Sequence, residues 1–439
     1  MEQLVKVGIL SAKKINFVLH KDYFFNGNKH FGASSVSFMA GKILWNEKIY
    51  QSITFTPVSD NAFFALKDVV IGKNFHWEQK EEQKFLGTLK FIVENNKITA
   101  INIINIEDYL KSVISSEMSP TASIELLKAH TVISRSWLLA QINKNNNKTN
   151  AKNDFIENEN ERIIWHDRED HENFDVCADD HCQRYQGISR TYKNFEQVKQ
   201  VVESTKGEIL VYDNEICDTR YSKCCGGISE EFQNCWNNKK YKYLTKVRDN
   251  ESNITSGKTN EINDIIPDLT QEQETVKWLS ECPTAFCNNN DREVLSQVLN
   301  NYDQKTIDFY RWKVSYSRKE LSLLIAERSG IDFGEVQELI PIERGVSGRL
   351  IKMKIVGTKK TMTIGKELEI RKILSKSHLY SSAFFIEIKD NIFTLHGAGW
   401  GHGVGLCQIG AAVMGNKGYN YKEILRHYYV GAKLSVIRV

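Results

Sequence analysis

The chain has little net charge and no long apolar run. Its 58 Lys and Arg residues nearly balance its 55 Asp and Glu residues, so 439 residues carry a formal charge of only +3. Because nucleic-acid-binding proteins concentrate Lys and Arg in dense patches, this balance argues against nucleic acid as a partner. No segment approaches the roughly 18 consecutive apolar residues that a transmembrane helix requires. The first residues also lack the apolar stretch of a signal peptide, so neither a membrane span nor an export signal is predicted.

The cysteine content is informative because it is odd. An odd count of nine argues against a framework built only from disulfides. Six of the cysteines lie in local pairs and three lie apart: Cys177/Cys182, Cys224/Cys225, Cys282/Cys287, Cys217, Cys235 and Cys407. We expect some of these thiols to bind metal and others to form disulfides. A disulfide among Cys224, Cys225 and Cys235 is one such candidate.

A glycine-rich segment lies near the C-terminus, after a predicted β-hairpin. Five glycines alternate with other residues from Gly397 to Gly405, beside His396 and His402, and an apolar helical pattern follows. Glycine suits positive φ or close approach of a ligand to the backbone, and a helix N-terminus offers free N–H groups to a polar ligand. The segment has neither the GK[ST] ending nor the G-x-G-x-x-G register of nucleotide loops. A tight turn packed against a sheet is the alternative interpretation.

The remaining pattern predicts an α+β fold. Short apolar alternations separated by turn residues predict strands over residues 4–106, including a hairpin that turns at Asn95-Asn96. Helical spacing predicts helices from Glu107 and over residues 122–143, and strands return after residue 309. We therefore expect a β-rich body with a few helices and a glycine-lined substrate groove.

Several motifs in this order resemble the SpoIID/LytB family. They are residues 107–120, residues 125–137, residues 399–408 and the pair Tyr428-Tyr429. That family includes the sporulation stage II protein D, a lytic transglycosylase, and the amidase enhancers of bacterial cell walls. The strand pattern predicts an N-terminal β-rich region over 1–106, and the resemblance, which runs from about Tyr109 to Tyr429, implies a SpoIID-like catalytic domain over 107–249 and 309–439. The intervening residues 250–308 lack the early motifs and are expected to be an insertion. The resemblance also implies peptidoglycan glycan strands as substrate, an extracytoplasmic location and a cell-wall amidase as a further partner.

Glu117 matches the glutamate that the resemblance marks as the catalytic acid and base. We expect it in a link between two helices, where a glutamate without function would be a solvated or capping group. The chemistry needs one carboxyl group that protonates the glycosidic oxygen and then takes the proton of the muramic acid 6-hydroxyl, which closes a 1,6-anhydro ring. A hydrolase would instead use a second carboxylate at roughly 5–10 Å.

Four further residues are assigned to catalysis by the resemblance. Arg135 is expected to position Glu117 or a sugar, although it could equally be an exposed helix charge. Tyr221 and Lys223 are expected to point into the cleft from a strand end, in a segment that could also be a plain Gly-Gly hairpin turn. His181 is expected to face the substrate. We expect all four on the same groove as Glu117.

The resemblance implies one zinc ion on His171, Cys177 and Cys182. Thiolate and imidazole ligands suit zinc, with His166 as the alternative histidine. A Cys177–Cys182 disulfide is the competing interpretation. The substrate-binding candidates are His402, Gly401, Gly403 and Gln408, and His402 is expected to hydrogen-bond a sugar or Glu117.

Other functional classes stay open at this point. A non-catalytic amidase enhancer would need neither Glu117 nor a metal cluster, and a zinc-dependent cell-wall hydrolase would use the metal directly. A cysteine protease is disfavoured because nothing in the sequence marks one thiol as activated.

Overall fold

The computed structural model describes residues 3–72, 78–119, 122–146, 155–165, 171–179, 181–189, 195–251, 266–298 and 308–437. Strands predominate over helices in these ranges, and the predicted α+β, β-rich fold class is confirmed. None of the helices in the described ranges is both long enough and apolar enough to cross a bilayer.

The N-terminal region is a run of strands in one large sheet. The strands are β1 (Leu4–Ala12), β2 (Lys14–Phe25), β3 (Asn28–Met39), β4 (Lys42–Trp45), β5 (Lys48–Tyr50), β6 (Ile53–Pro57), β7 (Phe63–Ile71), β8 (Gln79–Leu86), β9 (Thr88–Glu94) and β10 (Lys97–Asn105). Their pairings with one another are antiparallel. Asn95 and Asn96 both have positive φ between β9 and β10, which is the turn geometry that matches the twist of a two-residue hairpin. The predicted hairpin is therefore present.

The helices follow this sheet and alternate with short strands along the rest of the chain. They are α1 (Ile106–Glu117), α2 (Ile124–Asn146), α3 (Phe195–Ser204), α4 (Phe232–Cys235), α5 (Glu272–Ser280), α6 (Arg292–Ser296), α7 (Arg318–Ser329), α8 (Glu367–Ile373), α9 (Gln408–Asn416) and α10 (Tyr421–Tyr428). The Asn105 side chain accepts the Glu107 N–H at 2.8 Å and so fixes where α1 begins. Helix α2 is buried on nearly all sides, so its polar side chains must find partners inside the protein.

The later strands form smaller sheets. They are β11 (Phe155–Glu157), β12 (Glu161–Ile164), β13 (Val176–Cys177), β14 (Glu208–Tyr212), β15 (Glu215–Ile216), β16 (Tyr221–Ser222), β17 (Arg311–Ser317), β18 (Val336–Arg344), β19 (Leu350–Gly357), β20 (Thr361–Gly365), β21 (Phe384–Lys389), β22 (Ile392–Ala398), β23 (Leu406–Cys407) and β24 (Lys433–Val436). Strand β13 adds to the large sheet by pairing with β1 in parallel. The sheet orders are β11-β12-β20-β19-β18, β15-β14-β24, β16-β23 and β17-β22-β21.

Buried apolar side chains form two large cores. The first combines the N-terminal sheet with α1, α2, α9 and α10, and the second lies within residues 312–395. The N-terminal sheet thus shares its core with the two helices that carry the resemblance to the SpoIID/LytB family. The domain boundaries expected from the sequence stay a prediction.

One short pairing positions the candidate site. Strands β16 and β23 run parallel, with Tyr221 opposite Leu406 and Ser222 opposite Cys407. Because this pairing is parallel and joins distant parts of the chain, it brings the glycine-rich segment beside the segment that carries Tyr221.

Candidate active site and metal centre

Glu117 is the last residue of α1. It was expected from the sequence to lie in the link that follows this helix. Its Oε1 accepts the backbone N–H of Arg184 at 3.1 Å and the hydroxyl of Tyr221 at 3.3 Å. The side chain is half-buried. Two donors from two different segments therefore fix one carboxylate oxygen while the group keeps access to solvent.

Tyr221 connects Glu117 to a buried polar network. Burial, together with the neighbouring Glu117 charge, holds the pKa of Tyr221 well above its usual value, so its hydroxyl stays a donor. Its ring contacts the His130 ring edge-on at 4.6 Å between centroids. His130 accordingly supports the position of the Tyr221 ring.

His130 lies inside α2 and is fully buried. Burial, with a smaller contribution from Lys223, lowers the pKa of His130 to about 3, so its ring is neutral. Its two nitrogens lie 3.2 Å from Ser134 Oγ and 3.1 Å from Gln408 Nε2. Since the Gln408 amide donates to Nε2, the ring proton lies on Nδ1 and points to Ser134.

Gln408 does not reach a groove. It was expected to bind substrate, but its side chain is only 2% exposed and contacts His130. The physical reason is that Gln408 begins α9 (residues 408–416), whose N-terminal turns pack into the first core. Its role is to hold His130.

Arg135 has a different partner from the one expected. Its guanidinium forms a two-pronged pair with Glu107, with Nε to Oε1 at 3.0 Å and the second nitrogen to Oε2 at 2.6 Å. A third contact reaches the carbonyl of Glu208 at 3.0 Å. Because α2 is buried on nearly every side, an arginine at this position needs a carboxylate inside the core. Arg135 therefore braces α1 against α2 through Glu107 rather than through Glu117.

Lys223 extends from the segment after β16. Its Nζ donates to the backbone carbonyl of Val298, in the short stretch that follows α6 (residues 292–296). Its charge also contributes to the lowered pKa of His130. Lys223 thus ties the Tyr221 segment to the region around residue 298.

The zinc candidates meet in what we call the His/Cys cluster: His171, Cys177, His181 and Cys182. One ligand atom from each lies within 4.8 Å of all the others. His181 Nδ1 lies 3.5 Å from Cys182 Sγ, and His171 Nε2 lies 3.6 Å from the same sulfur. Two imidazoles and two thiols in this arrangement match the Cys₂His₂ set of structural zinc sites.

The sequence predicted that His181 faces the substrate, whereas the structure places its ring beside the two thiols as a further candidate ligand. Its Nδ1 also lies 3.8 Å from Cys177 Sγ. The resemblance implied a single histidine ligand, His171, so His181 was not assigned to the metal. The fold places His181 beside the thiols as a second histidine. His166, the alternative ligand, lies outside the described residues, and all nine cysteines are free thiols.

A cleft of about 640 Å³ borders the His/Cys cluster. Its walls include His171, Cys177 and His181 from the cluster, and Arg184 and Tyr185 from the following residues. Glu117 is not part of this wall, but the Arg184 backbone donates to it. Residues between 171 and 184 thus form the cluster, line the cleft and donate a hydrogen bond to Glu117.

The glycine-rich segment packs closely against protein. A Cβ on Gly403, which has φ of +77°, would collide with the buried Arg349 guanidinium. Arg349 Nε donates to the carbonyl of Gly401 at 3.2 Å. These contacts correspond to the packed turn that was the alternative interpretation from sequence, and they correct the view that Gly403 faces a ligand.

His402 uses its ring nitrogens within the protein. Nδ1 accepts the Val404 N–H at 3.0 Å, and the ring also hydrogen-bonds the Tyr221 backbone. Burial and three nearby arginines hold the pKa of His402 well below its usual value, so the ring is neutral. The expected bond from His402 to a sugar or to Glu117 is replaced by a brace between the glycine-rich segment and β16.

Three residues of this site were missed from the sequence: His130, Arg184 and Glu107. His130 lies in the motif of residues 125–137, so the resemblance pointed to its helix but not to its role. Arg184 donates its backbone N–H to Glu117, and such a group leaves no signal in side-chain patterns.

Comparison with known proteins identifies two regions of the chain. Residues 94–212 match the family model of the stage II sporulation protein, SpoIID, and residues 230–405 match a domain of unknown function, DUF8618. The first match contains α1, α2 and the His/Cys cluster. The resemblance to the SpoIID/LytB family is confirmed. The SpoIID match ends before Tyr221, so Tyr221 and the glycine-rich segment lie outside it.

Relatives with similar sequences include an uncharacterized protein, an amidase enhancer and a stage II sporulation protein D. An uncharacterized protein of Brachyspira hyodysenteriae is 26% identical over 351 residues, covering 80% of this chain and 72% of that protein. The amidase enhancer of Bacillus subtilis is 25% identical over 343 residues, covering 74% of this chain but only 40% of that protein. The stage II sporulation protein D of Bacillus amyloliquefaciens is 20% identical over 336 residues, covering 76% of each chain.

Proposed function

We propose that the chain is a peptidoglycan lytic transglycosylase in which Glu117 serves as the single acid and base. The observation that supports this most directly is the position of the Glu117 carboxylate. It lies at the end of α1, half-buried, with one oxygen held by the Arg184 N–H and the Tyr221 hydroxyl. The relatives named as stage II sporulation protein D and amidase enhancer support a role at the bacterial cell wall, outside the cytoplasmic membrane.

The reaction divides into two proton transfers. Protonated Glu117 gives its proton to the glycosidic oxygen, the bond from that oxygen to C1 of muramic acid breaks, and an oxocarbenium-like centre forms. The resulting carboxylate then accepts the proton of the muramic acid 6-hydroxyl while O6 bonds to C1. The proton that was given is regained, and no water is consumed.

Tyr221 acts as a positioning residue in this scheme. Its hydroxyl donates to Glu117 Oε1, which favours the carboxylate that forms after the first proton transfer. His130 packs against the Tyr221 ring and is itself held by Gln408 and Ser134. This buried support keeps the donor aimed at Glu117 without a charge of its own.

The His/Cys cluster fits zinc, with His171, Cys177, His181 and Cys182 as the ligands. A four-ligand set of this kind is closed, so bound zinc would supply a structural cross-link. The segment that the cluster would hold pairs with β1 through Cys177 opposite Gly8 and leads directly to Arg184. Bound zinc would therefore contribute to the chemistry by fixing the position of the Arg184 N–H.

The test is Glu117→Gln on peptide-free glycan strands. Glutamine keeps the shape of the side chain but cannot exchange a proton, so we expect turnover to fall by roughly 10²–10⁴-fold. Zinc content and thermal unfolding should stay unchanged. Asp108→Asn is the matched control, since Asp108 lies on the same helix and pairs with Lys111 at 2.8 Å. Undiminished turnover in Glu117→Gln would overturn the proposal.

The amidase enhancer relative motivates a second candidate function. A non-catalytic enhancer would stimulate a cell-wall amidase and release no sugar products by itself. Adding Glu117→Gln protein to a purified amidase separates the two, because a pure enhancer keeps its full effect. A zinc-dependent hydrolase, the third candidate, would lose activity on chelation and would yield reducing muramic acid ends.

A further inference from the structure

A second group of metal-ligating side chains lies away from Glu117. It consists of Cys225, Asp249, Cys287 and Cys407, which we call the buried cysteine cluster. All four residues are buried, and their ligand atoms lie within 4.8 Å of one another. We propose that this cluster is a second zinc site, with three thiolates and one carboxylate as its ligands. Its evidence is independent of the proposed glycan chemistry.

The spacing of the donor atoms suits one tetrahedral ion. Cys225 Sγ and Cys287 Sγ are 3.6 Å apart. Two sulfurs at the usual zinc–sulfur distance of about 2.3 Å in a tetrahedral site lie about 3.8 Å from each other. A separation of 3.6 Å is far longer than the S–S bond of about 2.05 Å in a disulfide, and all nine cysteines are free. Small side-chain adjustments would therefore close the set around a metal.

The surroundings orient these donors. Asp249 accepts the Cys287 N–H on Oδ2 at 3.0 Å and the Tyr428 hydroxyl on Oδ1 at 2.7 Å. Cys407 Sγ accepts the Cys225 N–H at 3.2 Å, and Cys407 immediately precedes α9 (residues 408–416). Backbone N–H groups and a helix N-terminus stabilise thiolate and carboxylate charge. These contacts hold the donor atoms in place, and the thiols lose their protons when the ion binds.

His427 provides a separate observation. Its side chain is 1% exposed, and both ring nitrogens lack a hydrogen-bond partner. Nε2 lies 3.6 Å from Asp249 Oδ1. Ligating carboxylates commonly have such a polar partner on the side away from the metal, and His427 Nε2 lies close enough to Asp249 to be that partner after a small adjustment.

The site would join distant parts of the chain. Cys225 follows β16 and Cys407 ends β23. Asp249 immediately precedes the region expected to be an insertion, residues 250–308, and Cys287 lies within it. One ion would therefore cross-link that region to the segments beside the glutamate. Binding costs the proton of each of the three thiols, so three protons are released per zinc ion bound. Cys224 is the competing fourth ligand, because its thiol also interacts with those of Cys287 and Cys407.

The experiment counts zinc in the whole chain by native mass spectrometry and elemental analysis after purification under reducing conditions with added zinc. We expect two zinc ions in the unaltered protein. The Cys177→Ser/Cys182→Ser variant should keep one, and Cys407→Ser should also keep one. Cys217→Ser, which removes a buried thiol outside the cluster, and Cys282→Ser, which removes an exposed one, are the controls and should keep two.

The fourth ligand and the histidine are tested in the Cys177→Ser/Cys182→Ser background. Asp249→Asn should abolish binding of the remaining zinc, whereas Cys224→Ser should retain it. His427→Phe should weaken zinc affinity by roughly 10–100-fold, the usual effect of losing such a partner. The reverse result for Asp249→Asn and Cys224→Ser would overturn the proposed ligand set.

A further measurement leaves the buried cysteine cluster unaltered, so its result does not depend on whether a variant of that cluster folds. Cobalt loaded into the Cys177→Ser/Cys182→Ser protein should show the strong absorption of cobalt bound to several thiolates. No cobalt or zinc binding by this natively folded variant would overturn the proposal. So would peptide mapping of the unaltered protein that finds Cys225 joined to Cys287 or Cys407 as a disulfide.

Discussion

The His/Cys cluster and the buried cysteine cluster contain similar donors but are assembled differently. The first comes from twelve consecutive residues, 171–182, includes an exposed histidine and borders a cleft. The second comes from segments that span residues 225–407 and is fully buried. A local, accessible cluster suits the positioning of a neighbouring loop, here the one that supplies the Arg184 N–H to Glu117. A dispersed, buried cluster suits the joining of distant segments into one fold.

The largest difference between the clusters should appear in stability. Cys287→Ser replaces a buried thiol with a hydroxyl and removes one ligand, so we expect the free energy of unfolding to fall by about 4 kcal/mol. Cys182→Ser should cost about 1–2 kcal/mol, because its site is partly exposed. Urea unfolding of both variants measures this, with Cys282→Ser as the control. Equal losses for the two variants would remove the distinction drawn here.

Tyr221→Phe should affect turnover without affecting either cluster. The lost hydrogen bond to a carboxylate corresponds to about 1.5–3 kcal/mol, so we expect turnover to fall roughly ten- to a hundredfold. Zinc content should be unchanged. Tyr212→Phe is a suitable control because Tyr212 lies in β14 and packs against Tyr243. Unchanged turnover in Tyr221→Phe would mean that Tyr221 does not position Glu117.

The pH dependence of stability should report on His130, which lies between Tyr221 and Gln408. Burial lowers the pKa of folded His130 to about 3 from 6.5. Between these values the unfolded chain binds a proton that the folded chain does not, so stability falls as the pH falls from about 6.5 toward 3. One such group contributes up to about 1.4 kcal/mol per pH unit.

His130→Asn is the variant that tests this dependence. Asparagine keeps polar atoms near Ser134 and Gln408 but does not titrate, so the slope of stability against pH should be smaller than in the unaltered protein. Urea unfolding at a series of pH values above 3 measures the slope. An identical slope in both proteins would contradict a neutral buried His130.

A chelator should have the smallest effect on the fold. It should remove zinc from the two clusters at different rates. The exposed His181 gives a chelator access to the His/Cys cluster, whereas no ligand of the buried cysteine cluster reaches solvent. We expect the first zinc to leave quickly and the second only as the protein opens. Zinc content followed over time after adding a chelator measures this. Simultaneous loss of both ions would contradict it.

The same contrast explains what could be predicted from the sequence. The N-terminal strands and the Asn95-Asn96 hairpin follow from local alternation and turn chemistry, and the structure contains them. The His/Cys cluster was suggested by its sequence because its members are near neighbours. Cys287 and Cys407 gave no such signal, since only the parallel pairing of β16 with β23 and the packing of later segments bring them together.

The errors in the site have a related cause. Arg135 and Gln408 were assigned to a groove because polar residues in a matched motif suggest function. Helix α2 is buried nearly all round, however, and α9 begins inside the first core, so both side chains serve internal contacts. Sequence periodicity indicates which face of a helix is most apolar, but it does not show that the opposite face is also covered by later segments of the chain.

The central claim is that the 6-hydroxyl of muramic acid, and not water, attacks the sugar after Glu117 has protonated the glycosidic oxygen. The most direct measurement is mass spectrometry of the products formed from peptide-free glycan strands in water labelled with heavy oxygen. The account predicts chains that end in 1,6-anhydro-muramic acid and carry no label. Reducing muramic acid ends that carry the heavy oxygen would show attack by water and would contradict it.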